Sequence, residues 1–296
     1  MRVVVTGAAG QVGQELFRCA WPEGTRVDFL SHHVLDVGNP AAVCEKIAPP
    51  LELVINAAAY TGVDAAENER ELAYRVNAEG AGLLARRCAV LEIPLIHLST
   101  DYIFDGSSNL PYVEEDEPSP LNVYGASKLA GEAAVRNTVR SHIILRTASV
   151  FGEFGGNFVK AMLHLGAERP TLGVVADQVS CPTAAADIAA AVVMLAKRIA
   201  GHNNDRVWGT YHFCGQPPVT WFHFAQQIFL MARDLGMTPP LLRPIRAAEY
   251  PGAAKRPAFS VLDCSKFVRT FGIEVPSWAA RLPKVIGAII GSRVST

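Results

Sequence analysis

The sequence predicts an α/β fold in which a doubly wound, Rossmann-like parallel sheet is followed by a smaller C-terminal lobe. Three observations predict it. Short β-branched runs alternate with helical patterns through the first 150 residues, a glycine-rich turn separates the first run from the first helical pattern, and proline-rich connections interrupt the alternation afterwards. Alternating strands and helices form right-handed βαβ units, whose parallel sheet is covered by helices on both faces.

Each element is predicted from its periodicity and its length. Short apolar runs predict strands at 2–5, 26–30, 53–56, 94–99 and 142–147. Helical patterns lie between these runs, at 11–21, 41–48, 67–91 and 124–137. Further helical patterns follow residue 150, at 158–168, 184–198 and 221–235.

Composition limits the kind of protein this chain can be. Its 296 residues are half hydrophobic, and 27 Lys and Arg nearly balance 28 Asp and Glu, so no net charge attracts nucleic acid or an anionic membrane. The longest apolar run, 188–196, is too short to span a bilayer. Six cysteines without CxxC or metal-site spacing favour buried free thiols in a reducing compartment. We therefore expect a cytoplasmic protein that binds neither nucleic acid nor membrane.

The glycine-rich turn predicts a dinucleotide site. Gly7, Gly10 and Gly13 follow the first strand and open the first helix. Gly7 permits the tight turn, Gly10 lets the backbone approach the pyrophosphate, and Gly13 lets the helix pack closely on the strand. The free N–H groups and positive dipole end of the helix then face the phosphates. The alternative is a glycine-rich turn that binds nothing.

These observations define the expected domains. Residues 1–150, together with 183–215, form the dinucleotide-binding domain. Residues 151–182 and 216–296 form a smaller substrate-binding lobe. Ligands of open α/β sheets bind outside the carboxyl ends of the strands, so we expect the lobe to cover that edge.

The end of the second strand bears on the choice between NADPH and NADH. There the chain has Ser31, His32 and His33, with neither the acid that selects NAD nor an arginine, which leans weakly towards NADP. The two histidines either contact a 2′-phosphate or are exposed loop residues. Asp36 and Val37 are candidates for the adenine edge, and the small residues after the third strand leave room for the cofactor. The predicted cofactor contacts are Gly7, Gly10, Gln11, Val12, Gly13, Ser31, Asp36, Val37, Ala57, Ala58, Ala59, Tyr60, Tyr124 and Lys128.

Tyr124 and Lys128 form the candidate catalytic pair, four residues apart on one helix face. Ketone reduction needs a proton for the oxygen, and a phenol with a pKa near 10 releases its proton reluctantly at pH 7. We expect the Lys128 ammonium to lower the pKa of Tyr124 and to hold the nicotinamide ribose. A hydroxyl within 99–101, at the end of the fourth strand, would polarise the carbonyl. The alternative is a surface pair of Lys128 with Glu132 on a solvated helix.

Taken in order along the chain, these motifs resemble those of the extended short-chain dehydrogenases and, within them, the dTDP-4-dehydrorhamnose reductase family. The resemblance covers nearly the whole chain, and the run 101–106 is its most specific part. It rests on residues 7–13, 56–61, 63–64, Glu67, 76–78, 99–106, 118–125, 127–132, 146–147, 157–158, 177–178, 182–183 and 256–257.

The resemblance implies an oxidoreductase that uses NADPH or NADH to reduce the C4 ketone of dTDP-4-dehydro-6-deoxy-L-mannose. The product would be dTDP-L-rhamnose, for polysaccharide biosynthesis. The smaller lobe would then hold the sugar nucleotide. The implied catalytic residues are Thr100, Tyr124 and Lys128. The implied substrate contacts are Thr100, Asp101, Tyr102, Ser149, Asn157 and Arg256, of which the arginine suits a diphosphate.

Departures from the family pattern keep alternatives open. The family usually has an aromatic residue at Ser149 and glycine at Ser180, so another nucleotide-linked keto-deoxysugar is an alternative substrate. A non-catalytic, dinucleotide-binding regulatory subunit is a second alternative, and it predicts a damaged catalytic trio. Some members use Mg²⁺ through acidic residues, but here only Glu15 matches and Ala186 replaces another acid, so we predict no metal. Homodimers are common among such relatives.

Overall fold

The computed structural model describes residues 1–200 and 207–294 of the chain. Its centre is a six-stranded sheet in the order β10-β5-β4-β3-β1-β2, with every neighbouring pair parallel. The strands are β1 (Arg2–Thr6), β2 (Arg26–Leu30), β3 (Leu53–Asn56), β4 (Leu95–Thr100), β5 (His142–Thr147), β6 (Val150–Phe151), β7 (Thr171–Val175), β8 (Val179–Ser180), β9 (Thr183–Ala184), β10 (Gly209–His212), β11 (Val219–Thr220) and β12 (Leu241–Ile245).

The helices alternate with the strands in the first half and dominate the second. They are α1 (Gln11–Arg18), α2 (Pro40–Lys46), α3 (Val63–Ala66), α4 (Arg70–Tyr74), α5 (Ala81–Val90), α6 (Val123–Thr138), α7 (Phe158–Glu168), α8 (Ala185–Ala200), α9 (Trp221–Asp234), α10 (Ser265–Phe271) and α11 (Trp278–Val294). The predicted doubly wound α/β class is confirmed.

The predicted helical stretch over 67–91 is present from 70 to 90, but it is not one regular α-helix. A π-helical segment, Arg75–Gly80, joins α4 to α5. Its Asn77 carbonyl oxygen lies against Gly131 of α6, where a Cβ would come within 2.1 Å of it. This close approach fixes the irregular segment against α6, which carries the candidate catalytic pair.

The central sheet is buried on both faces. One face packs against α1 and α8 through residues such as Val5, Leu16 and Ile188, and the other packs against α2, α5 and α6. Because β1, β3, β4 and β5 are covered on both sides, each carries a short apolar run, which explains why such runs identified them. The edge strand β10 has no such run, and the sequence pattern does not predict it.

The C-terminal segments build a second core. It joins α7, α9 and α11 to the parallel pair β7–β12, with Phe151, Phe224 and Trp278 at its centre. In contrast, α8 packs on α1, β10 extends the main sheet, and α10 contacts β10. The domain boundaries at 150, 183 and 215 remain our proposal.

Two expectations from composition meet the structure here. All six cysteines are free, but Cys44 is exposed and Cys19 half-buried, so only four of them are buried thiols. Among the described residues, no helix combines the length and apolar character needed to cross a membrane.

Candidate active site

The turn between β1 and α1 is shaped for a ligand backbone. Gly7 has a φ of +71°, and a Cβ there would lie 2.4 Å from the Ala58 nitrogen. A Cβ on Gly13 would lie 2.3 Å from the Gly7 carbonyl oxygen. Gly10 and the first residues of α1 line a cavity, and the first N–H groups of a helix lack intrahelical partners. These residues fit the phosphates of a dinucleotide.

The crevice lies where the strand order reverses, because the chain leaves β1 for β2 on one side and returns to β3 on the other. Asn56, at the end of β3, ties this crevice together. Its side-chain oxygen accepts the Thr6 hydroxyl at 2.7 Å and the Ala58 N–H at 3.1 Å. Asn56 thereby links the end of β3 to β1 and to the loop that follows β3.

The three residues singled out as catalytic meet in one cavity of about 370 Å³. Thr100 ends β4, while Tyr124 and Lys128 lie on the first two turns of α6. The Ser99 hydroxyl donates to Glu132 Oε1 at 2.6 Å, so Thr100 is the hydroxyl beside Tyr124. The structure also places Gly10, Gln11, Val12, Ala57, Ala59, Asp101, Tyr102 and Ser149 on the wall of this cavity.

Burial sets the acidity of Tyr124. It raises the pKa of Tyr124 to about 12, against a lowering contact with the Thr100 hydroxyl. The expectation that Lys128 lowers this pKa is wrong, because burial raises it and Lys128 Nζ instead donates to the Leu98 carbonyl oxygen at 2.6 Å. A phenol with a pKa of about 12 is protonated at neutral pH, and it is a weaker acid than an unperturbed tyrosine.

Lys128 is a buried cation. Burial lowers its pKa to about 8, with the Glu132 charge acting in the opposite direction. Glu132 forms ion pairs with Arg146 at 2.8 Å and Arg136 at 2.9 Å. The alternative of a surface pair on a solvated helix is therefore wrong, because Lys128 and Glu132 are both buried.

With this geometry in place, comparison with known proteins assigns the family. The sequence model of the RmlD substrate binding domain matches residues 1–290. A dTDP-4-dehydrorhamnose reductase of Sinorhizobium fredii is 41% identical over 292 residues, which cover 98% of each chain. The chain belongs to the dTDP-4-dehydrorhamnose reductase family.

Solved structures of this reductase family have the same fold. The enzyme of Clostridium acetobutylicum superposes with a TM-score of 0.90 at 34% identity, covering 98% of this chain and 100% of that one. The enzyme of Bacillus anthracis, solved in complex with NADP, gives a TM-score of 0.87 at 37% identity, with 96% and 98% covered.

In this member of the reductase family, the two residues predicted to contact adenine, Asp36 and Val37, interact with other parts of the protein. Asp36 accepts the Gly38 N–H at 2.9 Å and the Arg75 guanidinium at 2.8 Å. Partial burial acts to raise the pKa of Asp36, but these two donors lower it overall. Val37 is buried, and its side chain lies against Gly80 of the π-helical segment.

Other predicted contacts lie outside the cavity wall. The Ser31 carbonyl oxygen accepts the N–H groups of a turn, and the histidines that follow it are exposed. Tyr60 is held by Asn77, whose amide donates to its carbonyl oxygen at 3.0 Å and accepts its N–H at 2.8 Å. The Tyr60 hydroxyl donates to Glu69 at 3.0 Å.

The predicted substrate contacts from the second half of the chain are bonded to residues of the first half. Asn157 caps α7 and donates to Gln11 Oε1 at 3.0 Å. Arg256 forms an ion pair with Asp64 and contacts Tyr102. These bonds join the C-terminal segments to the N-terminal half of the chain.

The two departures from the family pattern contact each other. Ser149 Oγ lies 2.7 Å from Ser180 Oγ, and Ser149 has a φ of +46°, which is unusual for a residue with a Cβ. Sequence reasoning missed Trp221, which begins α9 and lines the same cavity. An aromatic residue at a helix start gives no signal of this kind, because its packing depends on a distant segment.

The shape of the turn predicts that alanine is tolerated less well at Gly7 than at Gly24. Gly7→Ala adds a methyl group at a place that backbone atoms already occupy. The alanine would also have to adopt the left-handed conformation that Gly7 has. We expect it to lower the free energy of unfolding by about 2–4 kcal/mol and to abolish dinucleotide binding. Gly24→Ala is the control, since Gly24 has a φ of +73° and nothing within 4 Å of its Cβ position. Equal losses in denaturant titrations of both variants would contradict the steric explanation.

Proposed function

We propose that this chain catalyses the NAD(P)H-dependent reduction of the C4 ketone of dTDP-4-dehydro-6-deoxy-L-mannose to dTDP-L-rhamnose. One observation carries the proposal: Thr100, Tyr124 and Lys128 line the same cavity as the start of α1. A dinucleotide and a ketone in this cavity would lie against the proton donor. The names of the relatives and the NADP complex of the Bacillus anthracis enzyme support this activity.

Each member of the trio has one task. Bound NADPH or NADH supplies the hydride to the carbonyl carbon. Tyr124, which is protonated at neutral pH, transfers its proton to the carbonyl oxygen as hydride reaches the carbon. Thr100 donates a hydrogen bond to that oxygen and polarises the ketone. Lys128 holds the ribose hydroxyls and keeps the cofactor against Tyr124.

The remaining contacts follow from residue chemistry. Arg256 is suited to the diphosphate, because a guanidinium donates two parallel hydrogen bonds to one phosphate group. Arg256 forms an ion pair with Asp64, so substrate binding would exchange one anion for another. Asp101, Tyr102 and Ser149 then face the sugar.

A spectroscopic assay tests the proposal. The protein is incubated with the dTDP-linked 4-keto-6-deoxy sugar and with NADPH or NADH, and loss of nicotinamide absorbance is followed. We expect turnover with formation of dTDP-L-rhamnose. Binding of the dinucleotide without turnover would instead support the regulatory-subunit alternative, although the intact trio in one cavity argues against it.

Reduction of another nucleotide-linked keto-deoxysugar is the second candidate. Ser149 favours it, because its hydroxyl, which bonds to that of Ser180, lines the cavity where the family usually has an aromatic residue. Comparing kcat/KM for sugars with different ring substituents separates the two candidates.

The setting of the enzyme is also a proposal. We infer a cytoplasmic enzyme from its free thiols, and a homodimer because homodimers are common among such relatives. Light scattering of the purified protein would test the second inference, and cell fractionation would test the first.

A further inference from the structure

The hydrogen bonds of Thr100 limit what its hydroxyl can do. A threonine hydroxyl has one hydrogen to donate. In the structure, Thr100 Oγ1 lies 3.1 Å from Asp101 Oδ1, it accepts the Tyr102 N–H at 3.2 Å, and its hydroxyl also contacts Tyr124. An ionised carboxylate only accepts hydrogen bonds, so beside an ionised Asp101 the single Thr100 hydrogen is used. Thr100 then has none left for a ketone.

Asp101 is placed where a carboxylate is costly. It is 1% exposed, lines the cavity, and its Oδ2 has no hydrogen-bond partner in the part of the chain that the structure describes. Burial raises the pKa of Asp101 to about 6, although contacts with the hydroxyls of Ser260 and Thr100 act to lower it. The neutral acid is thus accessible at physiological pH.

The groups around Asp101 do not supply a compensating cation. Tyr102 faces it from its own segment and Tyr124 faces it from α6, and both are neutral phenols. The nearby cations have other partners, because Arg256 pairs with Asp64 and Lys128 donates to the Leu98 carbonyl oxygen. A third element, β8, contributes only the Ser180 hydroxyl.

We propose that Asp101 is a neutral carboxylic acid in the reacting complex and acts as a positioning residue for Thr100. The protonated acid donates its O–H to Thr100 Oγ1, which reverses the bond seen with the carboxylate. The Thr100 hydrogen is then released to the carbonyl oxygen. Asp101 keeps its proton throughout, since hydride from the nicotinamide and the Tyr124 proton complete the reduction. This inference rests on the proposed function.

The sign of the pH dependence follows. Turnover requires protonated Asp101, so it is retained below the Asp101 pKa and lost as pH rises through about 6. Sugar and nicotinamide displace water from the cavity, which favours the neutral acid and moves the fall upwards. Loss of the Lys128 charge, near pH 8, gives a second fall.

Asp101→Asn is the decisive variant. The asparagine amide donates to Thr100 Oγ1 at every pH, as the neutral acid does. We expect turnover within about tenfold of wild type at pH 5.5. As the pH is raised, turnover of the variant should no longer fall with the titration of Asp101 but only with that of Lys128, near pH 8. An unchanged fall near pH 6 would overturn the proposal. Asp187→Asn is the control, because Asp187 is also buried with an unpartnered Oδ2 but lies outside the cavity wall.

A second measurement does not depend on turnover. Infrared difference spectra of the wild type should show a protonated carboxylic acid that titrates near pH 6, and Asp101→Asn should lack it. Fluorescence titration with NADPH confirms that each variant folds. Absence of turnover at every pH would refute the proposed function, whereas a missing infrared band in an active wild type would refute only the role of Asp101.

Discussion

Tyr124→Phe is expected to lower turnover by about 10²–10⁴-fold while NADPH binds with nearly unchanged affinity. The variant removes one oxygen atom and keeps the ring, which lies 5.9 Å edge-on from Tyr102. The shape of the cavity is therefore preserved, and what disappears is the proton for the carbonyl oxygen. Single-turnover measurements of nicotinamide oxidation at saturating substrate would report the chemical step.

Tyr112→Phe provides the matched control for this prediction. Tyr112 is also a buried tyrosine, but it stacks on Phe104 outside the cavity and its hydroxyl donates to Asp105. We expect its turnover to stay within a few-fold of wild type. Full activity in Tyr124→Phe would show that another group delivers the proton.

The first five strands of the central sheet could be predicted from sequence because each carries a short apolar run. The observed bounds of β1 to β5 differ from the predicted ones by at most one residue at either end. The sixth strand, β10, could not be predicted, because Gly209–His212 contains no apolar run. The π-helical turn within the helical stretch 67–91 could not be predicted in the same way. It is accompanied by the bonds of Asn77 to Tyr60 and by its contact with Gly131 of α6, and periodicity within the segment reports neither contact.

The candidate site was predictable where chemistry is encoded at short range. The glycine turn and the Tyr124–Lys128 pair are local motifs, and the structure brings them to one cavity. The ion pair of Arg75 with Asp36 could not be predicted from a local motif, because the two residues are distant in sequence and belong to different βα units. The raised pKa of Tyr124 could not be predicted for a related reason. It is caused by burial of the phenol, and that burial depends on segments that the local motif does not contain.

The second large effect is expected at the buried pair beneath the site. Arg146 of β5 binds Glu132 of α6 through two nitrogens, at 2.8 and 2.9 Å, and Glu132 also accepts the Ser99 hydroxyl of β4. The pair thus ties α6 to both strands. Burial acts to raise the pKa of Glu132, but the Arg146 hydrogen bonds outweigh it and lower that pKa to about 2.

Arg146→Met should therefore lower the free energy of unfolding by about 3–5 kcal/mol, because a buried carboxylate loses its main partner. Arg136→Met is the control: Arg136 contacts the same carboxylate from a side chain that is 36% exposed, and about 1 kcal/mol or less is expected. The Glu132→Leu/Arg146→Met double variant should recover most of the loss.

The contribution of the pair to stability should also depend on pH. Since the Glu132 pKa is depressed, the pair contributes fully to the free energy of unfolding above pH 4.5, and this contribution fades as pH falls towards 2. Denaturant titrations that gave equal losses for Arg136→Met and Arg146→Met, or no acid dependence, would show that this pair does not hold α6 in place.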